Sequence, residues 1–403
     1  MKNIKDFLRL FIILLIVITF FGCFPKIQEV VQEPEEALKQ VRFFFPDFHD
    51  DMDTNSLNLA VKRNLLYLNR LDPEKIFQYG PHQYTCLQVI ESQQTLLTLM
   101  KENPDPNQLS KNIRKNFQVY RAAGRSGNNE VLFTGYFEPV YDGSLTPDEI
   151  FKYPIYQKPC DLLKINLSRF NRTLRGKSII ARIDIEGKDV LPYYSRFQIE
   201  VEKALDNKGL EIAWLKNPLD VAFLQIQGSG RLKLPDGEML SVGYKASNGR
   251  PYRSIGRYML KKGILTRDEI SMQRIRSYLS EHPADTAQVL NHNPSYVFFE
   301  IRKNGPFGNI NVPLTPGRSL ALDAGLFPKG ALAFIFCQKP VIDNQGVITG
   351  WKKFSRFVLI QDTGGAIKGT GRADLFWGSG TEAEISAGHL QHDGELYILI
   401  KKQ

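Results

Sequence analysis

The densest chemistry in this 403-residue chain lies between Gln361 and Gly378. An apolar run, Phe357 to Ile360, delivers Asp362 into a turn that Gly364 and Gly365 permit, and Asp374 follows just before the aromatic pair Phe376-Trp377. Carboxylates crowded beside apolar rings raise each other's pKa through desolvation and like-charge repulsion. A carboxyl group kept protonated near neutral pH can act as a general acid on a glycosidic oxygen. Aspartates also cap turns routinely, and composition alone favours that plainer role.

Other patterns fail on inspection. Gly176-Lys177-Ser178 resembles the end of a phosphate loop, but the glycine required five positions earlier is Asn171. Gly228-Ser229-Gly230 is no nucleophile elbow, because residue 227 is Gln, and no dinucleotide fingerprint, because residue 233 is Lys. His389 and His392 stand beside Asp393, but without a third clear ligand they read as a surface loop and not as a metal site.

The elements that must hold the aspartates are mixed. Leu57, Val61, Leu65 and Leu68 fall on one helical face, and Leu87, Ile90, Leu97 and Met100 on another that closes at Asn103-Pro104. Residues 55–120 therefore read as helical scaffold. From Val131 the chain turns to β character, with strand-like runs at 131–137, 220–226, 296–301, 331–337, 357–361 and 395–400. A helical interlude is expected over 266–281, with Thr266 and Glu269 as its capping box.

Composition bounds the rest. A chain 42% hydrophobic and 24% charged is globular, neither disordered nor collagen-like. Lys2, Lys5 and Arg9 precede an apolar stretch from Leu10 to Phe21 that ends at Gly22-Cys23. That is a secretory signal, too short to span a bilayer comfortably. Its Gly-Cys ending resembles the lipobox of bacterial lipoproteins, with Cys23 lipidated and residues 1–22 removed. Removal takes the formal charge from +9 to +7. The positive balance fits an anionic partner, but basic and acidic residues are interspersed and no nucleic-acid module is present. Residues 23–40 read as a polar tether. Cys86, Cys160 and Cys337 are too few and too scattered for a disulfide framework.

Together the segment 361–378 and Leu322-Asp323 upstream resemble the "3D" domain, named for three aspartates. The wider chain resembles the membrane-bound lytic murein transglycosylase A family. The segments that carry this are 134–139, 191–196, 220–232, 242–257 and 293–299. The resemblance implies a mainly β fold with N-terminal helices (α+β). Its large domain, a double-psi β-barrel, would be discontinuous, formed by residues 41–139 and 303–403. A smaller β-domain would be inserted at 140–302, with the glycan in the groove between.

The same resemblance implies cleavage of the β-1,4 bond from N-acetylmuramic acid to N-acetylglucosamine without water. Asp374 would be the single acid/base and Asp362 its partner, with Asp323 structural. Thr134, Tyr136, Lys368 and Trp377 would line the groove, and Gln225, Gln227, Ser229, Tyr244, Ser247 and Asn248 supply groups able to bond sugar hydroxyls. No cofactor and no metal is implied. The implied partners are peptidoglycan strands and, through Cys23, a membrane. Phe24 stands where an Asp would retain the lipoprotein at the inner membrane, which directs the protein to the periplasmic face of the outer membrane. A non-catalytic murein-binding lipoprotein and a water-using murein hydrolase are the alternatives.

Overall fold

A computed structural model describes residues 31–403, apart from 104, 268 and 304. The signal segment, Cys23 and Phe24 lie outside the described residues. Among those described, no helix is long and apolar enough to cross a membrane.

Six strands close into a barrel: β1 (Val131–Glu138), β2 (Ser319–Ala321), β3 (Leu332–Ile342), β4 (Ile348–Asp362), β5 (Arg372–Ser379) and β6 (Gln391–Lys401). Around the barrel the order is β6-β3-β4-β2-β5-β1, and β1 closes back onto β6. The β4–β2 and β5–β1 pairs are parallel and the others antiparallel. Closure removes the sheet edges that a single open sheet would leave unpaired.

Residues 332–335 read as one apolar run because both faces of β3 are covered. Ala333 and Ile335 join Val131, Phe133, Ala373 and Leu375 in one core cluster. Leu332 and Phe334 pack instead against Leu57, Val61, Leu96 and Ile113 from the N-terminal helices. Those helices start at side-chain caps, Asp53 before Thr54–Leu68 and Thr85 before Cys86–Glu102. Arg318, fully buried, ties the first of them to the barrel through Asp50, Ser56 Oγ and the carbonyls of Asp53 and Phe357. A buried guanidinium so fully bonded is compensated for its lost water.

The chain between β1 and β2 forms a six-stranded sheet and a three-stranded one. Two contacts join this part to the barrel at β1. Glu138, 2% exposed, pairs with Arg231 at 2.7 Å, and Gln227 Oε1 accepts the Phe137 N–H at 3.0 Å.

Several expectations change. Residues 220–226 belong to a helix, Pro218–Gln227, not to a strand. Asn217 caps it, Pro218 opens it and left-handed Gly228 ends it, while the run Leu219–Gln225 is buried throughout. A segment buried on every side loses the periodicity that separates helix from strand. The helix expected over 266–281 begins at Met272 with Ser271 as its cap, and the Thr266–Glu269 bonds close a separate turn. The scaffold 55–120 is broken by a hairpin (Ile76–Tyr79, His82–Thr85) and a strand, Phe117–Ala122. The tether is also shorter than 23–40, because Leu38–Gln40 pairs with that strand and Ala37 and Leu38 are buried.

One irregularity positions the site. Along β2 and β4, Ser319 faces Leu359 and Leu320 faces Ile360, but Ala321 faces Asp362. Gln361 is the extra residue of this bulge. Val358 and Ile360 join the inner cluster, so strict alternation would send residue 362 inward as well. The bulge turns Asp362 to the outer face instead. Gln361, fully buried, is held by Ser319 Oγ and by Asn64, which also bonds Gln93 and the Gly330 carbonyl. Replacing Asn64 by Leu leaves Gln361 Nε2 and Gln93 Oε1 without hydrogen bonds, while the Gly330 carbonyl keeps the one from Gln93. It should cost about 2–3 kcal/mol in chemical denaturation. A loss under about 0.5 kcal/mol would show that the network does not hold the bulge.

Candidate active site

Four adjacent strands set one row of residues. Asp362 and Asp374 both stand opposite Ala321, and Asp374 stands opposite Thr134. With one strand between them, the two aspartate backbones lie about 10 Å apart. Ala373 and Leu375 belong to the inner cluster, so Asp374 projects outward with Arg372 and Phe376, as Thr134 and Tyr136 do on β1. Tyr136, Phe376, Leu314 and Ala321 form a small apolar cluster beneath the carboxylates.

Asp362 is well supplied with donors. Its Oδ1 accepts the N–H groups of Thr363 and Asn309, each at 2.9 Å, and its Oδ2 accepts the Tyr136 hydroxyl at 3.0 Å. Asp374 has one donor, the Thr134 hydroxyl at 2.7 Å from Oδ1. Both side chains are half-buried, ringed by protein and open on one side. Burial is the main reason that each carboxyl is pushed up to about 6. For Asp362 the Thr363, Tyr136 and Asn309 donors and the Lys329 charge pull the other way. For Asp374 the Thr134 hydroxyl and Arg372 oppose the rise, and the charge of Asp362 adds to it. Donors favour the ionised form, so three against one work harder against the rise at Asp362 than at Asp374. Burial and both aspartates push the Tyr136 phenol well above its usual value, which keeps it a donor.

Asp323 stands apart from this pair. Its Oδ1 accepts from Gly325 and its Oδ2 from Gly369, an arrangement that pins the loop after Asp362. Lys368 is exposed and lies 3.8 Å from Asp323, and no hydrogen bond or ion pair joins it to Asp362 or Asp374. Trp377 is turned against the backbone of Gly135, where an added Cβ would meet its ring at 2.7 Å. Its Nε1 is buried without a partner, and the half-buried ring packs against the barrel core.

The amide and hydroxyl candidates divide. Gln225 accepts from the buried Arg196, Gln227 is spent on Phe137, and Asn248 bridges Tyr194, Pro294 and Tyr296. All three are buried, and Gln227 and Asn248 spend their amides on neighbouring protein groups, while Gln225 leaves its Nε2 without a partner. Ser229 and Ser247 are half-buried and Tyr244 is exposed, all on strands of the six-stranded sheet. His389 and His392 do not share a loop. His389 ends the Thr381–His389 helix and bonds the Ile385 carbonyl, while His392 lies in β6 against Trp351. Among the described residues no group of three potential ligands could hold a metal.

Sequence reasoning missed Asn309, Lys329, Arg372 and Tyr252. Lys329 donates to Asn309 Oδ1, and its charge reaches Asp362. Tyr252, from the chain between β1 and β2, lies against Gly365 and within electrostatic reach of Arg372 and Asp374. Arg372 carried a direct signal, its place two residues before Asp374 on a strand, and Tyr252 a weaker one, its place in the segment 242–257.

Known proteins share both the segments and the shape. The profile of the "MltA specific insert domain" matches residues 132–300 and that of the "3D domain" residues 318–400. The membrane-bound lytic murein transglycosylase A of Vibrio cholerae is 31% identical over 285 residues, 70% of this chain and 68% of that protein. The crystal structure of a membrane-bound lytic murein transglycosylase from Agrobacterium tumefaciens is 32% identical, with a TM-score of 0.67. It covers 88% of this chain and 97% of its own. Escherichia coli MltA with bound chitohexaose reaches 0.69 over 95% and 98% of the two chains; at 24% identity this is a likeness of fold.

The raised carboxyls predict a stability effect with a definite sign. An unfolded Asp ionises near 4 and Asp374 near 6. Between those values the unfolded chain binds fewer protons than the native one, so native stability falls as pH rises. Asp374→Asn removes that component and still accepts from Thr134. It should be more stable than the parent by about 1–2 kcal/mol at pH 8, with the difference vanishing below pH 4. Thermal denaturation across this range checks it; equal stability at pH 8 would contradict the buried-charge account.

Proposed function

Since the chain belongs to the membrane-bound lytic murein transglycosylase A family, we propose that the paired carboxylates perform lytic cleavage of peptidoglycan with Asp374 as the single acid/base. The observation that carries this is the asymmetry of the row. Burial pushes both carboxyls up to about 6, and Asp362 accepts three hydrogen bonds where Asp374 accepts one.

In this reading the six-strand barrel is of the double-psi type and belongs to a discontinuous large domain, 41–139 with 303–403. Residues 140–302 are an inserted β-domain, and the glycan lies between the two. Protonated Asp374 gives its proton to the oxygen leaving C1 of the N-acetylmuramoyl unit. At pH 7 about one molecule in ten carries that proton when the pKa is about 6, and a bound glycan, by excluding water, increases the share. The C1–O bond breaks as positive charge grows on the ring, which Asp362 stabilises electrostatically. The Asp374 carboxylate then takes the proton from the O6 hydroxyl of the same sugar, and O6 bonds to C1. The product is a 1,6-anhydro sugar and no water is consumed. One acid/base suffices because the nucleophile is already held in the ring that it attacks.

Thr134 holds the Asp374 carboxyl through its 2.7 Å bond, and Tyr136 holds Asp362. Asp323 supports the loop between them. Lipidation of Cys23 places the enzyme on the periplasmic face of the outer membrane, within reach of peptidoglycan strands.

Digestion of purified murein followed by mass analysis tests the chemistry. The expected products are anhydromuropeptides; reducing-end muramic acid as the main product would establish a hydrolase, and murein binding without release a scaffold. Asp374→Asn should lower turnover at least 10³-fold while retaining glycan binding. Because Asp374 acts protonated, kcat/KM should fall as pH rises above about 6. Asp362→Asn removes the neighbouring negative charge that raises Asp374, so the alkaline limb should move to lower pH; a move upward would refute the assigned pairing.

A further inference from the structure

Arg372 is a guanidinium without a partner. Four arginines bury their Nε without a hydrogen bond there: Arg114, Arg121, Arg182 and Arg372. The first two engage their terminal nitrogens with Asp47 and Glu395, and the third lies 4.3 Å from the Tyr194 ring centroid. Among the described residues, no hydrogen bond or ion pair engages Arg372. The more deeply buried Arg196, Arg318 and Arg356 are all bonded to several groups. A half-buried guanidinium left idle loses much of its hydration without compensation.

Its position narrows what could satisfy it. Arg372 and Asp374 alternate with Ala373 on β5 and so share the outer face, about 6.6 Å apart along the strand. Tyr252 approaches from the chain between β1 and β2 and senses both charges. Arg372, Tyr252 and Asp374 thus surround one place beside the proton that cleaves the glycan. A planar guanidinium recognises a carboxyl or carbonyl group through paired N–H donors. Both sugars in murein carry an N-acetyl carbonyl, but only muramic acid carries a second group of this kind, the lactyl arm on O3. That two-residue spacing is comparable with the distance from C1 of a pyranose to the carboxyl end of a lactyl arm on O3.

We propose that Arg372 is the muramoyl-recognising residue of this groove, bonding the lactyl arm of the sugar whose C1–O bond Asp374 protonates. This rests on the transglycosylase reading above. Arg372 selects which of the two alternating linkages enters the site, because a chain shifted by one sugar would present no lactyl group to it.

The test compares Arg372→Gln and Arg372→Lys with the parent, each in an Asp374→Asn background to block turnover, by calorimetric binding of two ligands. One is a murein-derived oligosaccharide that contains muramic acid; the other is N-acetylchitohexaose, which lacks the lactyl arm. Arg372→Gln should weaken the muramoyl ligand 10–50-fold and change chitohexaose less than twofold, with Arg372→Lys recovering part of the loss. Equal losses for both ligands, or no loss for the muramoyl ligand, would overturn the proposal. If Gln at this position unfolds the protein, the Lys variant carries the same comparison, since it keeps the charge but not the fork. Failure of the wild-type protein to release anhydro products would instead refute the transglycosylase reading, and the binding comparison would still decide the role of Arg372.

Discussion

The register shift at Gln361 fixes where Asp362 points, and much of the site depends on it. A strand that alternates without interruption would bury this carboxylate inside the barrel with Val358 and Ile360. There it would have neither solvent access nor a neighbour to act on. The shift is stabilised from the opposite direction, by amides and a hydroxyl on the helix side of the sheet. The N-terminal helices therefore do more than cover β3. They supply Asn64 and Gln93, the buried groups that keep one extra residue in place. A polar network of this sort favours a single arrangement, because each alternative leaves a buried donor or acceptor unmade.

Two opposing forces act on the carboxylates that the bulge brings into one row. Apolar packing from Tyr136, Phe376 and Leu314 makes ionisation costly, and hydrogen-bond donors make it cheaper. The donors are unequally divided, so one row yields two environments. The difference arises mostly from backbone. Asp362 sits where β4 ends and the N–H groups of Thr363 and Asn309 are free of the ladder, while Asp374 lies mid-strand, where the backbone is already paired.

Much of this was legible in the residues themselves. Asp362 before a glycine turn, Asp374 before an aromatic pair, the capped helices and the β runs of the C-terminal third are local patterns, and local patterns survive folding. Where those patterns fail, the reason is also local. The Pro218–Gln227 helix is buried from Leu219 through Gln225, and its apolar run carries no period. Gln225, Gln227 and Asn248 are the residue types that bind sugars, but here Gln227 and Asn248 bond backbone and Gln225 bonds Arg196, and no sequence feature tells these uses apart. Lys329 and Tyr252 lie in segments that resemble the family, but nothing local says that either side chain reaches the aspartates.

By itself the sequence determined which chemical groups were available, two aspartates with apolar neighbours and no metal-ligand set, and the strand and helix character around them. It also carried enough composition-rich segments to indicate the family. Only the tertiary structure decided which face each aspartate occupies, which of them accepts three donors and which one, and which arginine is left without a partner. The physical reason is that these depend on strand register, and register is set by pairs far apart in the chain: Ser319 with Gln361, Asn64 with Gly330, Thr134 with Asp374. Residue type is a local property, whereas a carboxyl pKa belongs to everything packed around it.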